Sequence, residues 1–248
     1  MKQMQNSLQG SARAMRKIVL LPTAALVWNQ LTYQGAFILT NGRTHHDLSF
    51  SFERNIPLIP WTVSIYFGCF LFWAYHYLRM AVMEAEEKGT EEKGTEKQKA
   101  GHGKVGSLCS MAGRFYTADF LIKTISFFFF LLFPTKIDRP VVSAPGFWCD
   151  IVRLLYQIDK PFNLFPSIHC SVSWLCWVSV RKDERFSVGY RIFTLVAAIA
   201  VCLSTLTTRQ HLLADIAGGI LTAEFCWKLA GLIGNGRFSG NRKPGGNS

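Results

Sequence analysis

Residues 211–233 read HLLADIAGGILTAEFCWKLAGLI, an apolar stretch that carries His211 and Asp215 in its first turn. A helix that crosses a bilayer needs about 20 mostly apolar residues, and this stretch has that length. Placing a titratable side chain in hydrocarbon has a high free-energy cost. A histidine and an aspartate at the end of such a helix therefore indicate a functional role. The stretch therefore predicts a membrane helix that contributes to a functional site.

Similar apolar blocks occur along the whole chain. Of its 248 residues, 49% are hydrophobic and 14% aromatic, and they lie in long blocks, which is typical of an integral membrane protein. The fourth block is short, roughly 22 Å at about 1.5 Å per residue, so it either lies beside thinned bilayer or continues as helix into the next loop. The sequence predicts an all-α membrane bundle of six transmembrane helices, at 18–40, 59–78, 116–133, 166–180, 188–206 and 211–233.

Lysine and arginine alternate between rich and poor segments. Loops that stay in the cytoplasm carry the excess of these residues. The segment 1–17, the loops after the second and fourth blocks, and the segment 234–248 are rich in them. Both termini are therefore predicted to be cytoplasmic, as an even number of spans requires. This topology and anionic headgroups account for the net charge of +11, so nucleic-acid binding is not expected.

The chain is predicted to have three parts. Residues 1–17 form a cytoplasmic N-terminus, 18–233 the six-span membrane domain, and 234–248 a flexible cytoplasmic tail. Between the second and third spans, residues 86–97 read EEKGTEEKGTEK, a mixed-charge repeat with glycine and no apolar residue to bury. The loop 84–106 is therefore predicted to be disordered and without a stable helix.

The fourth block follows the segment NLFPSIH at residues 163–169. Proline is favoured at the first helical position, which predicts that the helix begins at Pro166. Phe165, then at the cap position, has no side-chain acceptor, so the amides from Ser167 to His169 are expected to lack partners. Free amides at the positive end of a helix dipole form an anion site.

His211 and Asp215 share a helix face at spacing i,i+4. A carboxylate at that position can orient one ring nitrogen and leave the other basic and accessible. A second imidazole, that of His169, can protonate a leaving oxygen from the opposite side. Arg139 and Arg209 are expected to hold phosphate oxygens bidentately, with Lys136 as an added charge.

With these motifs, residues 116–232 resemble the type 2 phosphatidic acid phosphatase superfamily, the six-span lipid phosphate phosphatases and phosphotransferases. Two positions depart from the family pattern: Leu132 stands where the family has Lys, and Thr205 where it has Arg. Arg209 is interpreted as the second cation, moved along its loop. The matching pieces, in the family's order and spacing, are Arg139-Pro140, Pro166-Ser167-x-His169, and Ser204 with His211 and Asp215.

The resemblance implies hydrolysis of a lipid phosphate or polyprenyl diphosphate at the outer face of the plasma membrane, without metal or cofactor. By resemblance, His211 attacks phosphorus, Asp215 orients the imidazole of His211, and His169 protonates the leaving alcohol. A lipid phosphotransferase that moves a phospho-headgroup between lipids is the alternative, and a non-enzymatic transporter or scaffold is a third hypothesis. The residues expected to bind substrate are Arg139, Arg209, Lys136, Ser167 and Ser204.

Four charged residues within the apolar blocks form two pairs at i,i+4 spacing. They are Asp119 with Lys123 and Glu224 with Lys228. Charges in a span usually pair or extend to the interface, so mutual pairing or snorkelling is expected, without proton transport.

The outer loops contain further candidate ligands. Residues 45–47, His-His-Asp, are expected to be solvated and not to bind metal. Cys149 and Cys170 lie near the same face, but a disulfide between them stays open, because the sequence does not fix their separation.

Overall fold

The structure is a computed structural model that describes residues 2–93 and 110–239. Most of these residues are helical. Two short parallel strands, β1 (His46–Asp47) and β2 (Thr135–Lys136), join the loops at residues 41–58 and 134–165. We call these loops the first and third outer loops, after their predicted topology. The helices are α1 (Lys2–Thr40), α2 (Val63–Lys93), α3 (Met111–Leu132), α4 (Phe147–Ile158), α5 (Ile168–Val180), α6 (Val188–Thr207) and α7 (Leu213–Ser239).

Each of the six apolar blocks contains one helix, and α4 is an additional helix in the third outer loop. Among the described residues, α3, α6 and the segment Leu213–Gly234 of α7 are long and apolar enough to cross a membrane, and α5 is apolar but shorter. These helices indicate a membrane protein. α1 and α2 are long but do not reach the same apolarity, in α1 because Asn29, Gln30 and Gln34 interrupt the apolar run.

The short helix α5 lies inside the bundle. It packs against α2, α3, α6 and α7, and 10 of its 13 residues are buried. Its polar side chains have partners: Trp73 Nε1 donates to Ser173 Oγ over 2.9 Å, and His76 Nε2 lies 3.0 Å from Ser179 Oγ. The predicted continuation into the next loop is wrong, since α5 ends at Val180. A helix enclosed by other helices need not match the bilayer thickness, so thinning is not required either.

One of the two predicted charge pairs is present. Lys123 Nζ lies 2.6 Å from Asp119 Oδ2, and both side chains are buried between helices. Glu224 instead binds Arg181, whose two terminal nitrogens lie 2.6 and 2.8 Å from its carboxylate oxygens. The planar guanidinium matches a carboxylate bidentately, which a lysine such as Lys228 cannot do.

Two segments predicted to lack helix are partly helical. α2 continues to Lys93, through the start of the loop predicted to be disordered, and buried Glu84 in that stretch accepts a hydrogen bond from Ser110. Residues 94–106 lie outside the described residues. α7 likewise continues to Ser239 into the predicted tail, and 240–248 lie outside the described residues.

The candidate ligands in and near the outer loops, two histidines and two cysteines, have defined surroundings in the structure. The His45 ring packs on Phe162, and the His46 ring stacks on Phe133 at 4.5 Å between centroids. Cys149 and Cys170 are both free thiols. The disulfide left open by the sequence is therefore not formed.

Candidate functional site

His169 and His211 lie on one cavity although 42 positions separate them in the chain. His169 is in the first turn of α5, and His211 is in the turn that precedes α7. Their ring centroids are 5.8 Å apart, with planes inclined at 56°. Both line a cavity of about 320 Å³. The structure thus brings the two predicted histidines together.

Two glycines allow α7 to approach the start of α5 this closely. A Cβ atom on Gly219 would lie 2.7 Å from the carbonyl oxygen of Ser167, and one on Gly218 would overlap the ring of Phe165. At this contact the Ser167 amide donates to the carbonyl oxygen of Asp215 over 3.1 Å. The glycine pair therefore fixes how near the His211 end of α7 lies to His169.

Asp215 is fully buried and holds the start of α7. Its Oδ2 accepts a hydrogen bond from the Leu212 amide at 2.8 Å, the backward half of a capping box. The same oxygen lies 3.4 Å from His211 Nδ1, an ion-pair separation without hydrogen-bond geometry. Its other oxygen, Oδ1, has no hydrogen-bond partner in the described part of the chain. Asp215 thus both caps the helix and stabilises positive charge on His211.

The start of α5 differs from the prediction. The N-cap is Ser167, whose hydroxyl oxygen accepts a hydrogen bond from the Cys170 amide at 3.2 Å. Pro166 precedes the cap, so the prediction that it is the first helical residue is wrong. The amides of Ile168 and His169 come before the first intrahelical donor. Ser167 is therefore a cap, and the anion-binding potential of this helix end resides in two amides.

Arg139 lies behind the cavity wall. Its Nη1 donates to the carbonyl oxygen of Asp159 over 2.5 Å, and its Nη2 donates to Gln210 Oε1 over 2.6 Å. The guanidinium also lies over the ring of Tyr156, 4.8 Å from the centroid. Burial lowers the pKa of Arg139 and raises the pKa of Tyr156 to about 12. Arg139 does not line the cavity, and it joins the third outer loop to the turn before His211.

Arg209 is similarly bound to backbone. The backbone of Arg209 has a left-handed φ of 57°, which turns the chain just before His211. The guanidinium donates to the carbonyl oxygens of Glu53 at 2.6 Å, Arg54 at 2.9 Å and Ile56. These bonds attach the fifth outer loop to the first, so Arg209 does not face the cavity.

The other two predicted substrate ligands also lie away from the cavity. Lys136 is half-buried in β2, where it is the register partner of Asp47. Ser204 is buried in α6, and its hydroxyl donates to the carbonyl oxygen of Val201 over 2.8 Å. The structure therefore brings the histidines and Asp215 together, and it places Arg139, Arg209, Lys136 and Ser204 away from the cavity.

A buried carboxylate that sequence reasoning missed helps to fix the start of α7. Glu53 Oε1 accepts a hydrogen bond from the Leu213 amide and Oε2 one from the Phe50 amide, each at 2.6 Å. A carboxylate at a helix N-terminus satisfies orphan amides and matches the dipole. Glu53 lies in a short 3₁₀ helix, Ser51–Asn55, and no sequence pattern marks it, so only the fold reveals its role.

Asp159 is the acidic residue of the cavity, and it too was missed. Its two carboxylate oxygens accept hydrogen bonds from Tyr33 at 2.6 Å and Tyr66 at 2.8 Å. The Tyr66 ring also packs against His169, 4.6 Å between centroids, beside Trp73 at 5.5 Å. The sequence carried one signal for these contacts, namely the aromatic residues of the second apolar block, such as Tyr66 and Trp73. Their number is explained equally well by a membrane helix, so the sequence alone did not connect them to a cavity.

No protein-family model, curated protein or solved structure matches this chain. The site must therefore be judged on its own chemistry. A cavity with two imidazoles, one of them backed by a buried carboxylate, can supply a nucleophile and a general acid to one substrate. The fold and site define a helical membrane protein with a two-histidine cavity.

Proposed function

We propose that the protein is a membrane phosphatase that hydrolyses a lipid phosphate or polyprenyl diphosphate through a phosphohistidine. The observation that carries this proposal is the pair of imidazoles on one cavity, 5.8 Å apart between ring centroids. Asp215 supports it, because a carboxylate 3.4 Å from Nδ1 favours a proton there and leaves Nε2 of His211 as the nucleophile.

The reaction has two balanced steps. Nε2 of His211 forms a bond to phosphorus while the bond from phosphorus to the lipid oxygen breaks, and protonated His169 gives its proton to that oxygen. Water then attacks the phosphohistidine and loses a proton to His169, while the bond to Nε2 breaks. Inorganic phosphate leaves, and both histidines return to their starting forms.

The phosphoryl oxygens are expected to meet the first amides of α5, those of Ile168 and His169, at the positive end of the helix. Arg139 and Arg209 act as positioning residues in this proposal, because their guanidinium groups bind backbone or side-chain oxygens around the turn before His211. Charge stabilisation then comes from preorganised dipoles aimed at the site of reaction.

We further propose six spans, cytoplasmic termini and a cavity that opens on the outer side of the plasma membrane. Contacts among the odd-numbered loops support this arrangement. β1 of the first loop pairs with β2 of the third, and Arg209 of the fifth binds the carbonyl oxygens of Glu53 and Arg54 in the first. Loops that contact one another share one end of the bundle, as alternation of six spans requires.

The proposal is tested by phosphate release from detergent-solubilised protein supplied with phosphatidic acid or a polyprenyl diphosphate. His211→Ala is expected to lose at least about 10³-fold in kcat, because the nucleophile is removed. The matched control is His46→Ala, an exposed loop histidine that stacks on Phe133 outside the cavity and should leave the rate unchanged. Wild-type activity in His211→Ala would contradict the mechanism.

The same assay separates hydrolysis from transfer. A labelled diacylglycerol or ceramide is added as acceptor, and products are resolved by chromatography. Free phosphate supports a phosphatase. A phosphorylated acceptor lipid without free phosphate would instead identify a phosphotransferase, which uses the same histidines with an alcohol in place of water.

A further inference from the structure

A row of amide side chains on α1 faces the cavity, within the otherwise largely apolar part of the helix at residues 18–40. We call Asn29, Gln30 and Gln34 the α1 amide row, and all three line the cavity with the histidines. Within the described residues, none of the three side chains has a hydrogen-bond partner. Amide groups without partners are costly in hydrocarbon, so this row requires a ligand or water to bind.

The α1 amide row lies where the cavity opens. Gln30 and Gln34 on α1 and Phe70 on α2 are exposed and line the cavity at the same time. Next to them, Leu31 and Leu71 are 59% and 78% exposed and do not line it. The opening between α1 and α2 therefore borders an apolar surface of the kind that contacts lipid tails.

The charge of the cavity limits what the α1 amide row can bind. Among the described residues that line the cavity there is no lysine or arginine, and Asp159 contributes a carboxylate. Both oxygens of that carboxylate already accept hydrogen bonds from Tyr33 and Tyr66. This end of the cavity consequently suits uncharged groups with hydrogen-bonding oxygens, and a second phosphate there would meet no counter-charge.

We infer that the α1 amide row binds the ester or hydroxyl oxygens next to the phosphate of a membrane lipid, whose tails stay in the bilayer outside the opening between α1 and α2. This inference rests on the proposed function and adds to it a second binding site on the substrate. Side-chain amides can donate to ester carbonyls and both donate to and accept from hydroxyls. The phosphate then lies at the histidines, which line the same cavity.

Photo-crosslinking tests this inference without turnover, in the His211→Ala background. Two phosphatidic acid probes are used, one with a diazirine on the acyl carbon next to the ester and one with a diazirine at the acyl terminus. The ester-proximal probe should label α1, and Gln30→Leu with Gln34→Leu should reduce that labelling about tenfold, because two hydrogen bonds are lost. Labelling of the protein by the acyl-terminal probe should fall by a similar factor, because both probes report the occupancy of the same bound lipid.

Two controls make the result specific. Leu31→Ala changes an exposed α1 residue that does not line the cavity, and it should leave ester-proximal labelling unchanged. Gln30→Asn with Gln34→Asn keeps the amides and should retain most of the labelling. Equal labelling in the leucine variant and wild type would overturn the inference, as would equal losses in the leucine and asparagine variants.

The outcome also separates this inference from the proposed function. Amide-dependent labelling in a protein that releases no phosphate in the wild-type form would contradict only the phosphatase proposal. Phosphate release by wild type together with amide-independent labelling would contradict only the α1 amide row as a lipid site.

Discussion

The two histidines and the two arginines lie at the same end of the bundle but have different surroundings. His169 and His211 face an open cavity, whereas Arg139 and Arg209 are bound to carbonyl and amide oxygens behind it. A buried guanidinium needs several acceptors, and loop carbonyl groups supply them. In the proposed mechanism the histidines act on the ligand, and the arginines hold the loops that position the histidines.

Removal of the His169 imidazole should have the largest effect on activity, and it tests whether this histidine acts on the ligand. His169→Ala should lower kcat for a lipid phosphate by about 10² to 10⁴-fold, because the leaving alcohol loses its proton donor. With p-nitrophenyl phosphate, whose leaving group needs no protonation, the release of p-nitrophenol in the first turnover should slow by less than about tenfold. Pre-steady-state kinetics with both substrates measure the contrast, because later turnovers also need His169 as the base for water, and equal losses in the first turnover would show that His169 is not the acid.

The glycine contact between α5 and α7 provides the second test. Gly219→Val should destabilise the protein by about 1–3 kcal/mol and lower activity, because a Cβ would lie 2.7 Å from the Ser167 carbonyl oxygen. Thermal unfolding in detergent measures the loss. Gly68→Ala is the matched control, since its Cβ meets nothing within 4 Å, and it should gain up to about 1 kcal/mol. Normal stability and activity in Gly219→Val would mean that α7 does not need this close approach.

Substitution of Arg209 should have the smallest effect on activity. It tests directly whether this arginine holds the loops or binds the substrate. Arg209→Ala should lower the unfolding free energy by about 1–3 kcal/mol, because three carbonyl oxygens lose a charged donor, while KM changes less than about threefold. Lys136→Ala, at a half-buried position in β2, is the control and should change stability by less than about 0.5 kcal/mol. A large rise in KM without loss of stability would instead assign Arg209 to the substrate.

Much of the fold was predictable, because long apolar blocks are forced into helices in a membrane. All six blocks contain a helix, but their ends depend on tertiary contacts. α5 begins at Ile168 because the Ser167 hydroxyl caps it, which the preference of proline for the first position obscured. α4 was missed, because it is too short to span a membrane and Asp150, Arg153 and Gln157 interrupt its apolar residues.

The reactive part of the site was predictable for a local reason. His211 and Asp215 are one helical turn apart, so their proximity follows from spacing. The side chains of Arg139, Arg209 and Lys136 lie in loops or a short strand, and their directions follow from contacts with distant segments such as residues 51–56. Asp159 and the α1 amide row could not be found from spacing, since only the packing of α1, α2 and α4 brings them to the cavity.

The central claim is that His211 carries the phosphoryl group inside the cavity. Wild-type protein is mixed with ³²P-labelled phosphatidic acid, quenched in alkali within the first turnover, digested and sequenced by mass spectrometry. The account predicts acid-labile, alkali-stable phosphate on His211 that is absent from His211→Ala. Phosphate release without any label at position 211, or label that persists in His211→Ala, would contradict it.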